Sequence, residues 1–182
     1  MLVVTEKGAS DLVTYRLGFL GIAGAPSAYN SAGAAPYGFA FDNAGQLFVT
    51  EAAASALSSY AVSPAGVPSA ISTSVPNGQQ AACWVALTPD GRYAFTIDAH
   101  SPAKISTYAI ANNGSLTVVN ATAAGEPTFP LLDASVSGDG QFLYVVNVGA
   151  SAIDAFHING NGSLSAIGST SVPAGAAGLA AS

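Results

Sequence analysis

The sequence predicts an all-β chain folded as a β-propeller of four blades, each blade a four-stranded antiparallel sheet. Three observations carry this. First, a pattern of aliphatic, two variable, aromatic, one variable, aliphatic occurs four times: Leu12, Tyr15, Leu17; Leu57, Tyr60, Val62; Ile105, Tyr108, Ile110; and Ile153, Phe156, Ile158. The aromatic members fall 45, 48 and 48 residues apart (60 − 15, 108 − 60, 156 − 108), and a Gly follows each by six residues, at Gly21, Gly66, Gly114 and Gly162. Second, each repeat holds an earlier strand that ends on a polar residue: Val3 to Glu6, Phe48 to Glu51, Phe95 to Asp98 and Tyr144 to Asn147. Third, the apolar residues keep no sustained 3.6-residue period, and Gly or Pro interrupts every candidate helical window, so almost no helix is expected.

The elements of one repeat follow from local chemistry. Strand A (Gly38 to Phe41) runs into Asn43-Ala44-Gly45, residues that tolerate the positive φ of a tight reversal. Strand B (Gln46 to Glu51) leads through a loop to strand C (Leu57 to Val62), and strand D (Val67 to Ile71) follows a second turn. Pro89-Asp90-Gly91 and Gly138-Asp139-Gly140 mark the A–B reversal in later repeats, and Asn113-Gly114 and Asn161-Gly162 mark their C–D hairpins. β-branched and aromatic residues fill the runs between. The blades span residues 1–35 with 174–182, 36–80, 81–127 and 128–173. The first repeat starts at its strand B. The tail reads Ala-Gly-Ala-Ala at 174–177 and then Gly178, Leu179 and Ala181, echoing Ala-Gly-Ala-Ala at 32–35 and then Gly38, Phe39 and Phe41. A C-terminal strand completing the N-terminal blade is therefore expected.

Composition narrows the partners. The chain has 182 residues and is half apolar but only 8% charged, so its solvated surface is made of Ser, Thr, Asn, Gln and Gly. Four Lys plus Arg against ten Asp plus Glu gives 4 − 10 = −6 with no basic run, which argues against nucleic acid. No stretch reaches the roughly 18 uninterrupted apolar residues of a membrane-spanning helix. The start lacks the basic and apolar regions of a signal peptide, which makes the cytoplasm the default expectation. The lone Cys83 excludes an internal disulfide framework.

Strand ends B and strand starts A open on one face of a propeller, and that rim is the candidate site. The repeat places Glu6, Glu51, Asp98 and Asn147 at the ends of strand B, Tyr37, Cys83, Trp84 and Asp133 at or near the starts of strand A, and His100 and Glu126 in adjoining loops. Carboxylates converging on one channel would raise one another's pKa and supply a general acid or base, or would hold a divalent cation through oxygen ligands; the sequence requires no cofactor. The alternative is that each carboxylate caps its own blade by accepting backbone N–H groups. Asp98, His100 and Glu51 are the candidate catalytic residues. Tyr37, Cys83, Trp84, Glu6, Asp133 and Asn147 are the candidate ligand-binding residues, with Tyr37 and Trp84 as an apolar wall. His157 alternates out of phase with Phe156 and Ile158 and reads as structural.

TPDGRYAF at Thr88 to Phe95, DASVSGDGQFLYVVN at Asp133 to Asn147 and the NGSL hairpins at 113–116 and 161–164 resemble the lactonase-type β-propeller family, which includes 6-phosphogluconolactonase and the carboxymuconate lactonizing enzyme. The resemblance runs along the whole chain and implies lactone chemistry. Members have seven blades and about twice this length, so the chain resembles the C-terminal half of one. Their strand A typically opens with a Pro-Arg-His-like signature; here the matching places read Pro36-Tyr37-Gly38 and Ala82-Cys83-Trp84. Without that arginine and histidine, and with an acidic rim, the expected substrate is a neutral lactone or ester. The alternatives are a non-catalytic propeller that binds a small ligand or partner, and a propeller fragment whose main property is assembly. Open end blades would expose apolar sheet faces, so either the four blades close on themselves more tightly or two chains pair as a homodimer completing an eight-bladed ring, and pairing is the expectation.

Overall fold

Alternation along each strand explains the layering of the molecule, because both faces of an inner blade are covered by neighbours. A computed structural model describes residues 1–100, 102–126 and 130–182, the side chain of Glu126 excepted. The first sheet has order β1 (Leu2–Glu6), β2 (Asp11–Leu17), β3 (Ala23–Asn30). The second runs β4 (Pro36–Phe41), β5 (Leu47–Glu51), β6 (Ala56–Val62), β7 (Pro68–Pro76). The third runs β8 (Ala82–Leu87), β9 (Tyr93–Asp98), β10 (Ala103–Ile110), β11 (Leu116–Glu126), and the fourth β12 (Leu131–Val136), β13 (Phe142–Asn147), β14 (Ala152–Ile158), β15 (Leu164–Ser171). Every neighbouring pair is antiparallel, and no helix occurs among the described residues. The all-β, four-bladed expectation holds.

The core lies in the seams between blades. On β5, Leu47 and Val49 point to the first blade and pack with Leu12 and Tyr60. Phe48, between them, points the other way and packs with Leu57, Ala94 and Tyr108. On β9 the same alternation sends Phe95 and Ile97 towards Leu143 and Val145 of the fourth blade. A strand buried on both faces must be apolar at successive positions, which is why these runs lack a clean polar alternation.

Polar side chains set the spacing of the blades. In the first three repeats the residue before the repeat aromatic carries a hydroxyl that donates to the C–D turn of the next blade: Thr14 to the Gly66 carbonyl at 2.8 Å, Ser59 to Gly114 at 2.7 Å and Thr107 to Gly162 at 3.1 Å. Gly162 sits at φ +80° with its α-carbon against Tyr93, where a Cβ would come within 2.6 Å of the ring. Only glycine satisfies both the turn and the approach. At the inner strands, a Cβ on Gly38 would collide with the Cys83 carbonyl, so β4 and β8 come together closely.

The tail corrects one expectation. Residues 174–182 form no strand, and the first sheet has three strands with β1 at its edge. The tail lies instead along β12, where the Leu179 amide donates to Asp133 Oδ2 at 3.0 Å and the Ala181 amide to Ser135 Oγ at 3.1 Å. An inner strand packs beside the inner strand of the preceding blade, as β8 does beside β4, and the tail takes that place next to the fourth blade. The echo at 174–179 marks inner-strand character without determining which blade it serves.

Candidate functional site

The rim is built from the starts of β4 and β8 and from the turn after β1. Tyr37 on β4 is held by its main chain: its carbonyl accepts the Thr5 hydroxyl at 2.7 Å, which ties β1 to β4. Lys7, in the β1–β2 turn, places its Nζ 5.3 Å from the Tyr37 ring centroid, an ammonium against an aromatic face. Trp84 meets Tyr37 edge-on, with centroids 5.7 Å apart and planes at 76°. Tyr37 is exposed and Trp84 half-buried, so the pair presents an aromatic surface with a cation at one end. Glu6 is exposed next to Lys7. Buried Thr50 braces the floor of this surface, accepting from the Gly38 amide at 2.9 Å and lying 3.0 Å from the Cys83 carbonyl.

Cys83 is half-buried, and burial pushes its thiol up; Lys7 pulls the other way and Asp98 adds to the rise. A thiol held protonated is a weak nucleophile.

The strand-end carboxylates sit apart from this surface. Glu51 is wholly buried between the first and second blades, where Oε1 accepts Ser31 Oγ at 2.8 Å and Tyr60 Oη lies at 3.4 Å. Its Oε2 is buried with no hydrogen-bond partner among the described residues. Burial also pushes the Tyr60 phenol up. Asp98 is wholly buried between the second and third blades. Ser55 Oγ donates to its Oδ1 at 2.7 Å, and Asn77 Nδ2 reaches Oδ1 at 3.1 Å and Oδ2 at 3.0 Å. Desolvation raises the Asp98 pKa to about 6, against the opposing effect of hydrogen bonds from Ser55, Asn77 and Ser106.

Asn147, at the same place in the fourth blade, stays within its own sheet: Nδ2 donates to Asp154 Oδ2 at 2.9 Å and Oδ1 accepts the Ala150 amide at 3.1 Å. Asp133 takes the Ala134 and Leu179 amides. The expected convergence of carboxylates on one channel is therefore replaced by separate seams, because Ser31 and Asn77, in linkers from the preceding blade, supply donors to Glu51 and Asp98 within them. Among the described residues no three His, Cys, Asp or Glu side chains form a group that could hold a metal.

His100 is exposed in the segment after β9, one residue beyond Ala99, whose amide donates to the Ala81 carbonyl at 2.9 Å. That bond keeps the start of the segment beside the Cys83–Trp84 strand. Glu126 pairs through its backbone with Ala103; its side chain lies outside the described residues. His157 rests edge-on against Phe142 at 5.8 Å with Nδ1 3.3 Å from Asn159 Oδ1, away from the rim.

Sequence reasoning missed Ser31, Ser55 and Asn77, and did not place Lys7 on the rim. Ser10, Ser55 and Ser151 each lie five residues before their repeat aromatic, and that recurrence is the signal that could have found Ser55. The open clefts of about 310 and 480 Å³ lie at the opposite face, between the A–B and C–D turns around Asp42, Pro89, Asp90 and Asp139. They do not include the aromatic surface.

The model of the family "Lactonase, 7-bladed beta-propeller" matches residues 69–174. No curated protein matches the chain. Among solved structures, a 6-phosphogluconolactonase candidate from Bacteroides uniformis superposes with TM-score 0.81 at 17% identity, covering 93% of this chain and 51% of that one. A protein from Lactobacillus plantarum gives 0.79 at 19%, covering 93% and 53%. The periplasmic gluconolactonase PpgL of Pseudomonas aeruginosa gives 0.66 at 18%, covering 88% and 50%. The chain thus spans about half the length of the structures it matches, and at these identities the likeness speaks for the fold. With more than half of its length matched by the family model and its blades superposing on those of solved propellers, the chain belongs to the lactonase family of seven-bladed β-propellers.

Proposed function

We propose that the protein binds and hydrolyses a neutral lactone or ester at the rim formed by Lys7, Tyr37 and Trp84. The observation that supports this reading is the exposed aromatic pair with an ammonium at its edge, placed at the inner-strand starts. A flat, weakly polar ring stacks on such a surface, while the cation stabilises negative charge developing on the carbonyl oxygen. The exposed Glu6 beside Lys7 disfavours an anionic substrate.

In this reading His100 is the general base. It takes a proton from water as the oxygen attacks the carbonyl carbon; the ring C–O bond then breaks and the proton passes to the leaving alkoxide. Asp98 and Glu51 act through position: Asp98 pairs across the sheet with Ala82, adjacent to Cys83 and Trp84.

Neutral lactones and p-nitrophenyl esters test this with wild type, His100→Ala and Trp84→Ala. The expected outcome is turnover that falls about 100-fold or more in kcat for His100→Ala, with KM raised in Trp84→Ala. Turnover indifferent to both changes would place the chemistry elsewhere. A non-catalytic ligand-binding propeller is the second reading, favoured by the burial of both candidate acids in blade seams. Binding lost in Trp84→Ala with no turnover of any ester supports it.

A further inference from the structure

The seams inside the chain repeat one design, and the two end blades present its two halves without a partner. In each internal seam the residues four and two positions before the polar residue that ends strand B face the preceding blade. Leu47 and Val49 are 1% and 0% exposed there, whereas their counterparts Leu2 and Val4 on the first blade are 47% and 45% exposed. The first blade's C–D turn also stands free. It closes with the same Gly18-amide-to-Ile22-carbonyl bond as the other turns, but its tip is Phe19-Leu20, and Phe19 is fully exposed. The corresponding tips are Pro64-Ala65, Asn112-Asn113 and Gly160-Asn161.

The surface that receives a turn changes in the matching way. In the third blade the turn of the fourth is held by the Thr107 hydroxyl and by Tyr93 Oη, which donates to the Gly160 carbonyl at 3.1 Å. At those two positions the fourth blade has Ala155 and Phe142, so both hydroxyls are gone and an aromatic ring flanked by Tyr144 and His157 stands in their place. A cleft of about 260 Å³ opens at Ala155 between β14 and β15, lined also by Phe156, Ala166 and Gly168 and by the polar Asp154 and Ser169. Within the chain each docked turn buries its glycine, Gly66, Gly114 or Gly162, against a hydroxyl of the preceding blade, whereas Gly21 is exposed. The first blade's turn thus stands undocked, and it carries two large apolar side chains where the others carry Pro-Ala, Asn-Asn and Gly-Asn.

We propose that the outer face of the first blade, with its Phe19–Leu20 turn, docks onto the Phe142 and Ala155 face of the fourth blade in a second copy of the chain. The contact continues the pattern of the internal seams, with Leu2 and Val4 in the place of Leu47 and Val49 and Gly21 in the place of Gly66, Gly114 and Gly162, and adds to it the Phe19 and Leu20 side chains packed against Phe142 and Ala155. Two copies related by a two-fold axis form this seam twice and complete an eight-bladed ring.

Light scattering on the full chain at tens of micromolar tests this beside Phe19→Asp/Leu20→Asp, a double change at an exposed tip that leaves the internal core untouched. The wild type is expected at twice its chain mass, the variant at 17.9 kDa with an unchanged β circular-dichroism spectrum. Larger head-to-tail species that the double change abolishes support the same seam. A wild type that stays at chain mass over the whole range overturns the proposal, and so does a dimer that survives the double change, since that dimer uses another surface. Phe142→Asp, on the receiving side, must lower the association in the same way; a dimer indifferent to it also contradicts the proposal.

Discussion

The seam between the second and third blades and the seam between the third and fourth use the same repeat positions and different chemistry. In the former, Ser55 and Asn77 hold a buried Asp98 through neutral donors, above an apolar cluster of Phe48, Leu57 and Tyr108. In the latter, Ala103 stands where Ser55 does, Asn147 stands where Asp98 does and bonds within its own blade, and a larger apolar cluster around Phe95, Ile97, Leu143 and Val145 fills the contact. A buried acid is costly unless its oxygens are satisfied, and an apolar contact carries no such dependence. One repeat can thus build a seam sensitive to protonation next to one that is indifferent to it.

The largest expected effect lies in the apolar seam. Phe95→Ala removes a wholly buried ring and should cost about 3–5 kcal/mol in urea unfolding. Next is Asn77→Ala, which strips donors from both oxygens of Asp98. A loss of about 2–3 kcal/mol is expected at pH 7.5, and a smaller one at pH 5, where the acid is protonated. Asn147→Ala in the counterpart position should cost only about 1 kcal/mol at either pH. Equal, pH-independent costs for the two Asn changes would erase the distinction between the seams.

The pH dependence has a definite sign. The folded-state pKa of Asp98, about 6, lies above its ordinary value of 3.8. The native state therefore holds the proton more tightly than the unfolded chain, and this contribution to stability is complete below pH 4 and lost as pH rises through 6. Asp98→Asn should remove that decline, about 1–3 kcal/mol between pH 4 and pH 7, whatever its constant offset. The smallest effect concerns the turns. Ser59→Ala deletes the bond to the Gly114 carbonyl and should cost about 1 kcal/mol, whereas Ala155→Ser should leave the stability of the isolated chain unchanged.

The fold was legible because its signals are local and repeated. Tyr15, Tyr60, Tyr108 and Phe156 with their trailing glycines give the period, and Asp42, Asp90 and Asp139 each accept a backbone amide in their A–B turn, which follows from short-range geometry. The rim was legible as a place, since strand ends and starts share a face. Its contents were not. Whether Glu51 and Asp98 face solvent depends on Ser31 and Asn77, which reach them from linkers 20 and 21 residues earlier, and no pattern within one blade reports that. The Lys7–Tyr37–Trp84 surface joins three blades and is equally non-local. The tail failed for a related reason: its composition marks an inner strand, while its neighbour is decided by the packing of Asp133 and Ser135 on β12.

The account stands most directly on Asp98 as a buried structural acid in a blade seam. Following its side-chain carboxyl carbon by NMR from pH 3 to pH 8, in wild type and in Asn77→Ala, tests that claim. A wild-type midpoint near 6 that moves upward when Asn77 is removed is the predicted result. A midpoint in the ordinary range, near 4, and unmoved by the loss of Asn77 would contradict it.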